Sequence, residues 1–185
     1  ADGRVVNTPI CTEGGITYIE GTTFNTTKDG FALFAGETHI KDAKFNAENI
    51  AIYNNGNAQV FVDNTTVISK GRCVWSCNLV YLNGVSGATG HEGTTKITIN
   101  SGSYKGGNKT YAPIVCCGGD IEINGGTFES NHDTIFEITT SGGTIVITGG
   151  TFGGKSFASL NTPEAWKALC NGTGYNVVIE NGKVI

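Results

Sequence analysis

The sequence predicts an all-β fold: a single right-handed parallel β-helix, a solenoid, closed by a short C-terminal capping helix. Its main signal is a unit that recurs every 24 residues late in the chain, reading ITINSGSY, IEINGGTF and IVITGGTF and closing at Tyr104, Phe128 and Phe152. Two apolar residues alternate with polar ones in each unit, which is typical of a strand because side chains at i and i+2 share a face. The turn that follows, Ser-Gly in the first unit and Gly-Gly in the other two, supplies the φ freedom of a sharp bend, and repetition at this period indicates a solenoid.

Composition supports this fold class and excludes several functions. The chain has 185 residues, enough for one domain with a continuous core. Its 28 Gly are about twice the average share, and only 15% of its residues are charged. A net charge of −4 without a basic run excludes a nucleic-acid partner. No apolar run approaches the length of a membrane span, so we expect no membrane partner.

The repeat divides the chain into a lead-in or cap at 1–15, β-helix turns at 16–159, and a capping helix with a final strand at 160–185. Six units close at residues 24, 45, 67, 104, 128 and 152, in steps of 21, 22, 37, 24 and 24 residues. We expect roughly seven or eight turns, about 35 Å long at the parallel strand spacing. A second strand is predicted between successive units, at Phe31–Phe34, Ile50–Tyr53, Cys73–Trp75, Ile114–Cys116 and Ile135–Ile138.

The 37-residue step contains either an excursion from one turn, at 78–95, or a complete extra turn. The excursion is favoured because Gly84–Thr94 offers no second strand. The strands before and after it would then be neighbours, with Cys77 facing Cys117, or Cys116 if the register slips by one. Their Cα atoms would lie about 5 Å apart, inside the disulfide range. Whether the pair is bridged or reduced depends on the compartment.

Residues 160–174 depart from the repeat. Thr162 is a predicted N-cap and Pro163 the first helical residue, with a short helix over Ala165–Cys170 that ends at Gly172 or Gly174. Tyr175–Ile185 is predicted to return to strand with its apolar positions in register, namely Val177, Ile179 and Val184. This segment would cover the open edge of the last turn.

The six cysteines are predicted to pack in the core or to form disulfides, and no metal or cofactor is expected. They are Cys11, Cys73, Cys77, Cys116, Cys117 and Cys170. The spacing Cys73-x-x-x-Cys77 is unlike a zinc site, and the adjacent pair Cys116-Cys117 cannot easily chelate one tetrahedral ion. Four N-x-[ST] sequons begin at Asn25, Asn64, Asn108 and Asn171, a number that chance explains in a chain rich in Asn and Thr.

The Gly-Gly-Thr-Phe units, with Gly174-Tyr175-x-Val177 and Gly182-Lys183-Val184, resemble right-handed parallel β-helix proteins of the pectate-lyase-like superfamily. In particular they resemble repeat-bearing surface proteins of Gram-positive gut bacteria and their phages. The resemblance covers residues 16–185 and implies the fold more than a function. For an enzyme it implies clustered acidic residues, with Ca²⁺ and a basic residue in lyases and a carboxylate pair in hydrolases. The Asp-Asp, Gly-His-Gly and Arg-Ile-Lys signatures that it implies for a galacturonase are absent.

No catalytic residues are predicted. The densest acidic group consists of Asp120, Glu122, Glu129, Asp133 and Glu137, and its first two members share an outward strand face; the favoured interpretation is a solvated surface. The histidines are His39 on an outer strand face, His91 in the excursion and His132 in a turn. A triad of Ser130, His132 and Asp133 is rejected because sequence neighbours rarely meet triad geometry and no nucleophile elbow is present.

Trp75 and Tyr53 are candidate carbohydrate-stacking platforms, although such aromatics are more often core or ladder residues. The favoured function is a non-catalytic structural solenoid on a virion surface, a capsid decoration or fibre-type accessory protein. A homo-oligomer, most simply a trimer, or attachment to a capsid is expected, because a weakly charged flank rich in Thr and Asn can pair laterally. The alternatives are a bacterial cell-surface adhesin or carbohydrate-binding module, and a polysaccharide lyase or hydrolase. Gly182–Ile185 shows no sorting tail, which favours the virion over the cell surface.

Overall fold

The computed structural model confirms a parallel β-solenoid with one short α-helix, about five turns and roughly 60% of residues in strands. It describes residues 10–77, 80–82, 85–88, 95–139, 142–172 and 176–185. Each turn contributes strands to two sheets. The division of the chain at 1–15, 16–159 and 160–185 stays a prediction, since residues 1–9 lie outside the described part.

Sheet A, the larger sheet, has 12 strands and forms one long, bent side of the solenoid. Its strands are β1 (Ile10–Glu20), β3 (Phe31–Lys41), β5 (Ile50–Asp63), β7 (Arg72–Cys77), β10 (Lys96–Ile99), β12 (Ile114–Cys117), β13 (Asp120–Ile123), β15 (Phe136–Ile138), β16 (Ile145–Ile147), β19 (Cys170–Asn171), β20 (Ile179–Glu180) and β21 (Lys183–Val184). In β3 and β5 the predicted second strand of one turn runs directly into the first strand of the next.

Sheet B has seven strands and faces sheet A across the core. Its strands are β2 (Thr23–Thr26), β4 (Lys44–Ala47), β6 (Thr65–Ser69), β11 (Gly102–Gly106), β14 (Thr127–Ser130), β17 (Thr151–Phe152) and β18 (Lys155–Ser156). The remaining elements are a hairpin, β8 (Val80–Leu82) with β9 (Val85–Ala88), a 3₁₀ helix at Phe157–Ser159, and the helix α1 (Pro163–Lys167).

The core consists of apolar columns that run from turn to turn. The predicted column of Ile99, Ile123 and Ile147 is confirmed, since these residues are register neighbours and buried. The predicted column of Tyr104, Phe128 and Phe152 is confirmed as well, with ring centroids 4.9 and 5.0 Å apart and nearly parallel planes. Parallel strands repeat at about 4.8 Å, so identical residues in successive turns necessarily stack on one another.

The predicted Gly-Gly bend between the two sheets is confirmed, and its two glycines serve different purposes. A Cβ on Gly125 would lie 2.6 Å from the carbonyl oxygen of Asn100 in the turn below, which leaves no room for a side chain. Gly126 has φ +107°, a backbone conformation that other residues rarely adopt. Close approach explains the first glycine and backbone conformation the second.

The expectation of seven or eight turns was wrong. Six parallel strands of sheet B define the levels, from β2 to β17, and the solenoid makes about five turns. Its length at the parallel spacing is therefore about 24 Å. The difference arises at the C-terminal end, where β18 reverses against β17 and β21 reverses against β16 instead of adding full turns.

The excursion is confirmed, although one reason given for it was wrong. Strand β7 pairs directly with β12, so no complete turn separates them, and Cys77 lies opposite Cys117. Val85–Ala88, within the segment expected to lack a strand, does form one. It pairs antiparallel with β8, its own neighbour in sequence, and joins neither of the two main sheets.

The C-terminal cap contains the predicted helix in shortened form. The Thr162 side chain accepts a hydrogen bond from the Ala165 N–H at 3.3 Å, confirming the N-cap. The predicted end beyond Cys170 was wrong, because Cys170 pairs with Phe136 as part of β19. Trp166 is buried against Phe152, and its indole N–H donates to the Leu160 carbonyl at 2.6 Å. No helix in the described residues is long and apolar enough to span a membrane.

The final segment is a hairpin and not one continuous strand. Asn181 and Gly182 have φ of 50° and 73°, the pattern of a type I′ turn, and join β20 to β21. Val184 is buried opposite Ile147, as expected of a covering strand, whereas Ile179 is partly exposed because it lies on the outer arm. Tyr175, which began the predicted strand, lies outside the described residues.

Candidate functional site

The outward face of sheet A carries one column of side chains that changes character along the solenoid. Its members are the middle residues of the apolar-x-apolar motifs, so each projects away from the core. In register order they are Tyr18, His39, Phe61, Thr98, Glu122 and Val146. The first three are aromatic and the last three are not, so the N-terminal turns present an aromatic surface that the later turns lack.

Tyr18, His39 and Phe61 form a stacked row, called here the aromatic row. Successive ring centroids are 5.0 Å apart and successive planes differ by 14°. Tyr18 is 74% exposed and ends the row, so one face of its ring is open to solvent. His39 Nε2 lies 2.6 Å from Glu37 Oε1, and this contact fixes the imidazole within the row.

Two outward columns flank the aromatic row. On one side lie Ile16, Glu37 and Gln59, and on the other Glu20, Lys41 and Asp63. Glu20 and Lys41 form an exposed ion pair at 3.4 Å. The two columns together carry three carboxylates and one lysine, so the surface around the rings is negatively charged. The polar groups on both sides repeat at the strand spacing, in step with the rings.

A second aromatic cluster contains both predicted platforms. Tyr53 and Trp75 are register neighbours on the outer face of β5 and β7, with ring centroids 5.4 Å apart. Both are half-buried, and Phe34 packs edge-on to Tyr53 at 6.3 Å. The Arg72 guanidinium lies between two rings, 4.4 Å from the centroid of Trp75 and 3.7 Å from that of Tyr111, a favourable cation–π arrangement.

Two polar atoms in this second cluster are buried without a hydrogen-bond partner. They are Arg72 Nε and Trp75 Nε1, and both are donors. A buried donor without an acceptor costs about 1–3 kcal/mol. The cluster is therefore a laterally packed ladder that encloses two unpaired donors.

The predicted acidic group is spread over the surface and does not converge. Asp120 and Glu122 share the outward face of β13 as predicted, but Glu122 pairs with Lys96, and Asp120 accepts from the Thr144 N–H at 3.1 Å. On sheet B, Glu129 pairs with Lys105 at 2.9 Å. Asp133 lies in an exposed turn, and Glu137 lies on β15 with one buried oxygen that has no partner. The hydrogen bond from Lys96 holds the pKa of Glu122 below its ordinary value.

Ser130 and His132 do meet, but as parts of a turn. The Ser130 hydroxyl accepts from the backbone N–H of His132 at 2.9 Å and donates to the Thr134 carbonyl at 2.7 Å. The imidazole Nδ1 accepts from the Thr134 N–H at 3.1 Å. The hydroxyl is bonded to backbone and not to the ring, which is the geometry of a loop and not of a triad. His91 lies outside the described residues.

The cysteines are mostly core residues. Cys73, Cys77, Cys116 and Cys117 are buried. Burial raises the pKa of the Cys116 thiol to about 12 and that of Cys170 to about 11, so neither is a ready nucleophile near neutral pH. Among the described residues, no group of three or more His, Cys, Asp or Glu could hold a metal ion.

A cavity of about 530 Å³ lies under the C-terminal hairpin. Its walls come from the last core residues and the cap, including Phe136, Ile145, Trp166, Val177 and Val184. The lining is largely apolar, as expected where the inward columns end. Thr139, Thr144 and Asn176 are the polar side chains among the described lining residues, and none of them is charged.

No protein-family model, curated protein or solved structure matches this chain. The solenoid fold therefore rests on the strand pairing itself. The resemblance to one superfamily, and to proteins of one kind of host, remains a sequence-based expectation.

The sequence analysis missed the aromatic row, although the signal for it was present. Three successive motifs read Thr17-Tyr18-Ile19, Thr38-His39-Ile40 and Val60-Phe61-Val62, so the same outward offset holds a ring each time. Alternation predicts that the three share a face, and the repeat predicts that they stack. Arg72 and Tyr111 were missed for a different reason: their meeting depends on the loop before β12, whose path has no sequence signature.

Proposed function

We propose that this chain is a non-catalytic structural β-solenoid displayed on a virion surface, as a capsid decoration or fibre-type accessory protein. The observation that carries the proposal is the use of outward polar residues to join successive turns. Lys105 pairs with Glu129, and Lys70 pairs with Glu48 at 2.8 Å. Asn46 donates to Asn25 at 2.7 Å, and Asn124 bridges Asn100 and Thr148. Charges that pair along the solenoid are not gathered into a cleft, which favours a scaffold over an enzyme.

The resemblance to β-helix surface proteins of Gram-positive bacteria and their phages supports the same proposal. Under it the chain assembles with itself, most simply as a trimer, or attaches to a capsid. Mass spectrometry of purified particles from the source tests this directly, and light scattering of the isolated chain tests the trimer. The expected result is the chain at fixed stoichiometry in particles. Its absence from particles, together with a monodisperse monomer at high micromolar concentration, would contradict the proposal.

A catalytic role is tested with the acidic residues outside the core. Asp120→Asn, Glu122→Gln and Asp133→Asn, combined in one variant, should leave folding and particle association nearly unchanged, because all three lie on the surface. Neither the variant nor the parent should cleave acidic polysaccharides, with or without Ca²⁺. Cleavage by the parent that the triple variant abolishes would replace the structural proposal with a lyase or hydrolase.

The second candidate is a cell-surface adhesin or carbohydrate-binding module. The second aromatic cluster favours it, because Tyr53 and Trp75 form a half-buried aromatic surface on the outer face of the sheet with the Arg72 guanidinium beside it. Aromatic faces next to hydrogen-bond donors suit a ligand with an apolar ring face and hydroxyl oxygens. Finding the chain in cell-wall fractions and not in particles would favour this function over the first.

A further inference from the structure

We propose that the aromatic row of Tyr18, His39 and Phe61 binds a neutral, linear glycan. This proposal rests on the second candidate function and deepens it by naming a site and a class of ligand. It uses residues apart from the Trp75 cluster and is independent of any role in a particle.

The first step concerns the open ring. Within the row the inner ring faces cover one another at 5.0 Å, so His39 and Phe61 offer mainly their edges. Tyr18 is the end ring and is 74% exposed, which leaves one full face and its hydroxyl available. An aromatic ring with a polar tip suits a sugar, which has an apolar face of C–H groups and a rim of hydroxyls. Tyr18 is therefore the stacking platform of the proposed site.

The second step concerns periodicity. The rings and their flanking polar groups all repeat along the solenoid axis at 5.0 Å, close to the strand spacing. A linear β-linked glycan advances by nearly the same distance per sugar. The open face of Tyr18 points along this axis, so one sugar meets a ring face there, and sugars linked to it meet the ring edges and the polar groups beside them. Glu37 contacts His39 through Oε1 only, so Oε2 can accept from a sugar hydroxyl.

The third step concerns charge. Glu20, Glu37 and Asp63 flank the row, with Lys41 paired to Glu20 and Lys96 following Gln59 in the next turn. A uronic acid polymer would place its carboxylates beside these side chains and be repelled. The charge therefore selects a neutral glycan. The same three carboxylates also disfavour pairing of this surface with the same surface on a second copy of the chain.

The rigidity of the site supports the same assignment. Each ring stands on a strand whose neighbours on either side in sequence point into the core; Ile19 and Ile40 are buried and Thr38 is 1% exposed. Little ordering is required when a ligand binds to side chains that already stack in the free protein. The site is shallow, so we expect an affinity suited to multivalent display and not to tight single-site binding.

The test is calorimetric titration of the intact chain with cellohexaose, chitohexaose and a hexamer of galacturonate at constant ionic strength. We expect the neutral hexamers to bind at least tenfold more tightly than the uronate. Tyr18→Ala should weaken neutral binding by roughly tenfold, the effect of losing about 1.4 kcal/mol of stacking. Ile68→Ala is the matched control, since Ile68 is also a large exposed side chain, 45% exposed, but lies on sheet B.

Three results would overturn the proposal. They are binding that Tyr18→Ala leaves intact, uronate binding as tight as neutral binding, and no binding by any hexamer at millimolar concentration. If no hexamer binds and the chain self-associates in a way that Tyr18→Ala removes, the aromatic row is an interface between copies of the chain. Trp75→Phe separates this site from the Trp75 cluster, because it should leave binding at the row unchanged. Incorporation of Tyr18→Ala into particles reports on the structural proposal separately.

Discussion

The turns before the hairpin, residues 10–77, and the turns after it, residues 95–152, have the same interior and different exteriors. Inward columns continue through both halves without a break, as in the run Ile40, Val62, Ile99 and Ile123. The outward column passes from stacked rings to Thr98 and the ion-paired Glu122 at the same register positions. The comparison shows that the pairing of successive strands fixes the position of each outward side chain but does not restrict its residue type. Chemistry can therefore vary on the outside of a solenoid at little cost to folding.

The largest expected effect tests whether the interior is equivalent in both halves. Ile40→Ala and Ile123→Ala each remove a side chain that is fully buried, and each should lower the free energy of unfolding by about 2–5 kcal/mol. Urea denaturation of the two variants beside Ile68→Ala, an exposed control, measures this. The two losses should be similar. A loss under about 1 kcal/mol in one half alone would show that the two interiors are not equivalently packed.

The next effect concerns the junction between the halves. Cys77 is the last residue of β7, the strand before the hairpin, and Cys117 is its register neighbour in the following turn. The strand spacing of about 4.8 Å lies within the Cα range of disulfides. Mild oxidation should therefore link the two and stabilise the fold by about 2–4 kcal/mol.

Peptide mapping without reductant identifies the link, and thermal unfolding measures its effect. Cys117→Ser should abolish the link, whereas Cys116→Ser should preserve it because Cys116 lies opposite Ser76. A link through Cys116 would mean that the register across the junction is shifted by one residue. Oxidation of the urea-unfolded chain under the same conditions is the positive control. If the unfolded chain forms disulfides and the folded chain does not, Cys77 and Cys117 are not placed to react.

Much of the fold could be predicted because the repeat and the alternation report directly on strand register. The stacking of Ile99, Ile123 and Ile147 follows from their spacing alone, since parallel strands bring equivalent residues together. The ends could not be predicted as well, because capping depends on particular tertiary contacts. Cys170 carries a helix-like sequence context yet pairs with Phe136, a case of tertiary pairing overriding local preference. The final hairpin is predictable from the sequence, since Asn181-Gly182 is a strong turn signal.

The candidate sites divide in the same way. The aromatic row follows from periodicity, and aligning the outward residues of successive units finds it. The sandwich of Arg72 between Trp75 and Tyr111 does not, because it joins a strand to an irregular loop. The dispersal of the acidic residues was visible in the sequence, but the lysines that Glu122 and Glu129 meet were not. Pairing such as that of Lys96 with Glu122 depends on diagonal contacts between strands, which sequence spacing alone does not distinguish.

The smallest expected effect concerns that diagonal pair, which takes the place of rings in the second half. The hydrogen bond from Lys96 lowers the pKa of Glu122 in the folded protein. A carboxyl with a lowered folded pKa stabilises the fold above its unfolded pKa, and that contribution is lost as the pH falls through the folded value.

Because Glu122 is 31% exposed, solvent screening limits the contribution to about 0.2–1 kcal/mol. Glu122→Gln should thus lower the free energy of unfolding slightly at neutral pH, and the difference should shrink as the pH falls below the ordinary pKa of a glutamate side chain. Glu129→Gln, whose pair with Lys105 is more exposed at 55%, is the matched control and should change less. A difference for Glu122→Gln that persists at acidic pH would mean that the side chain acts through packing and not through its charge.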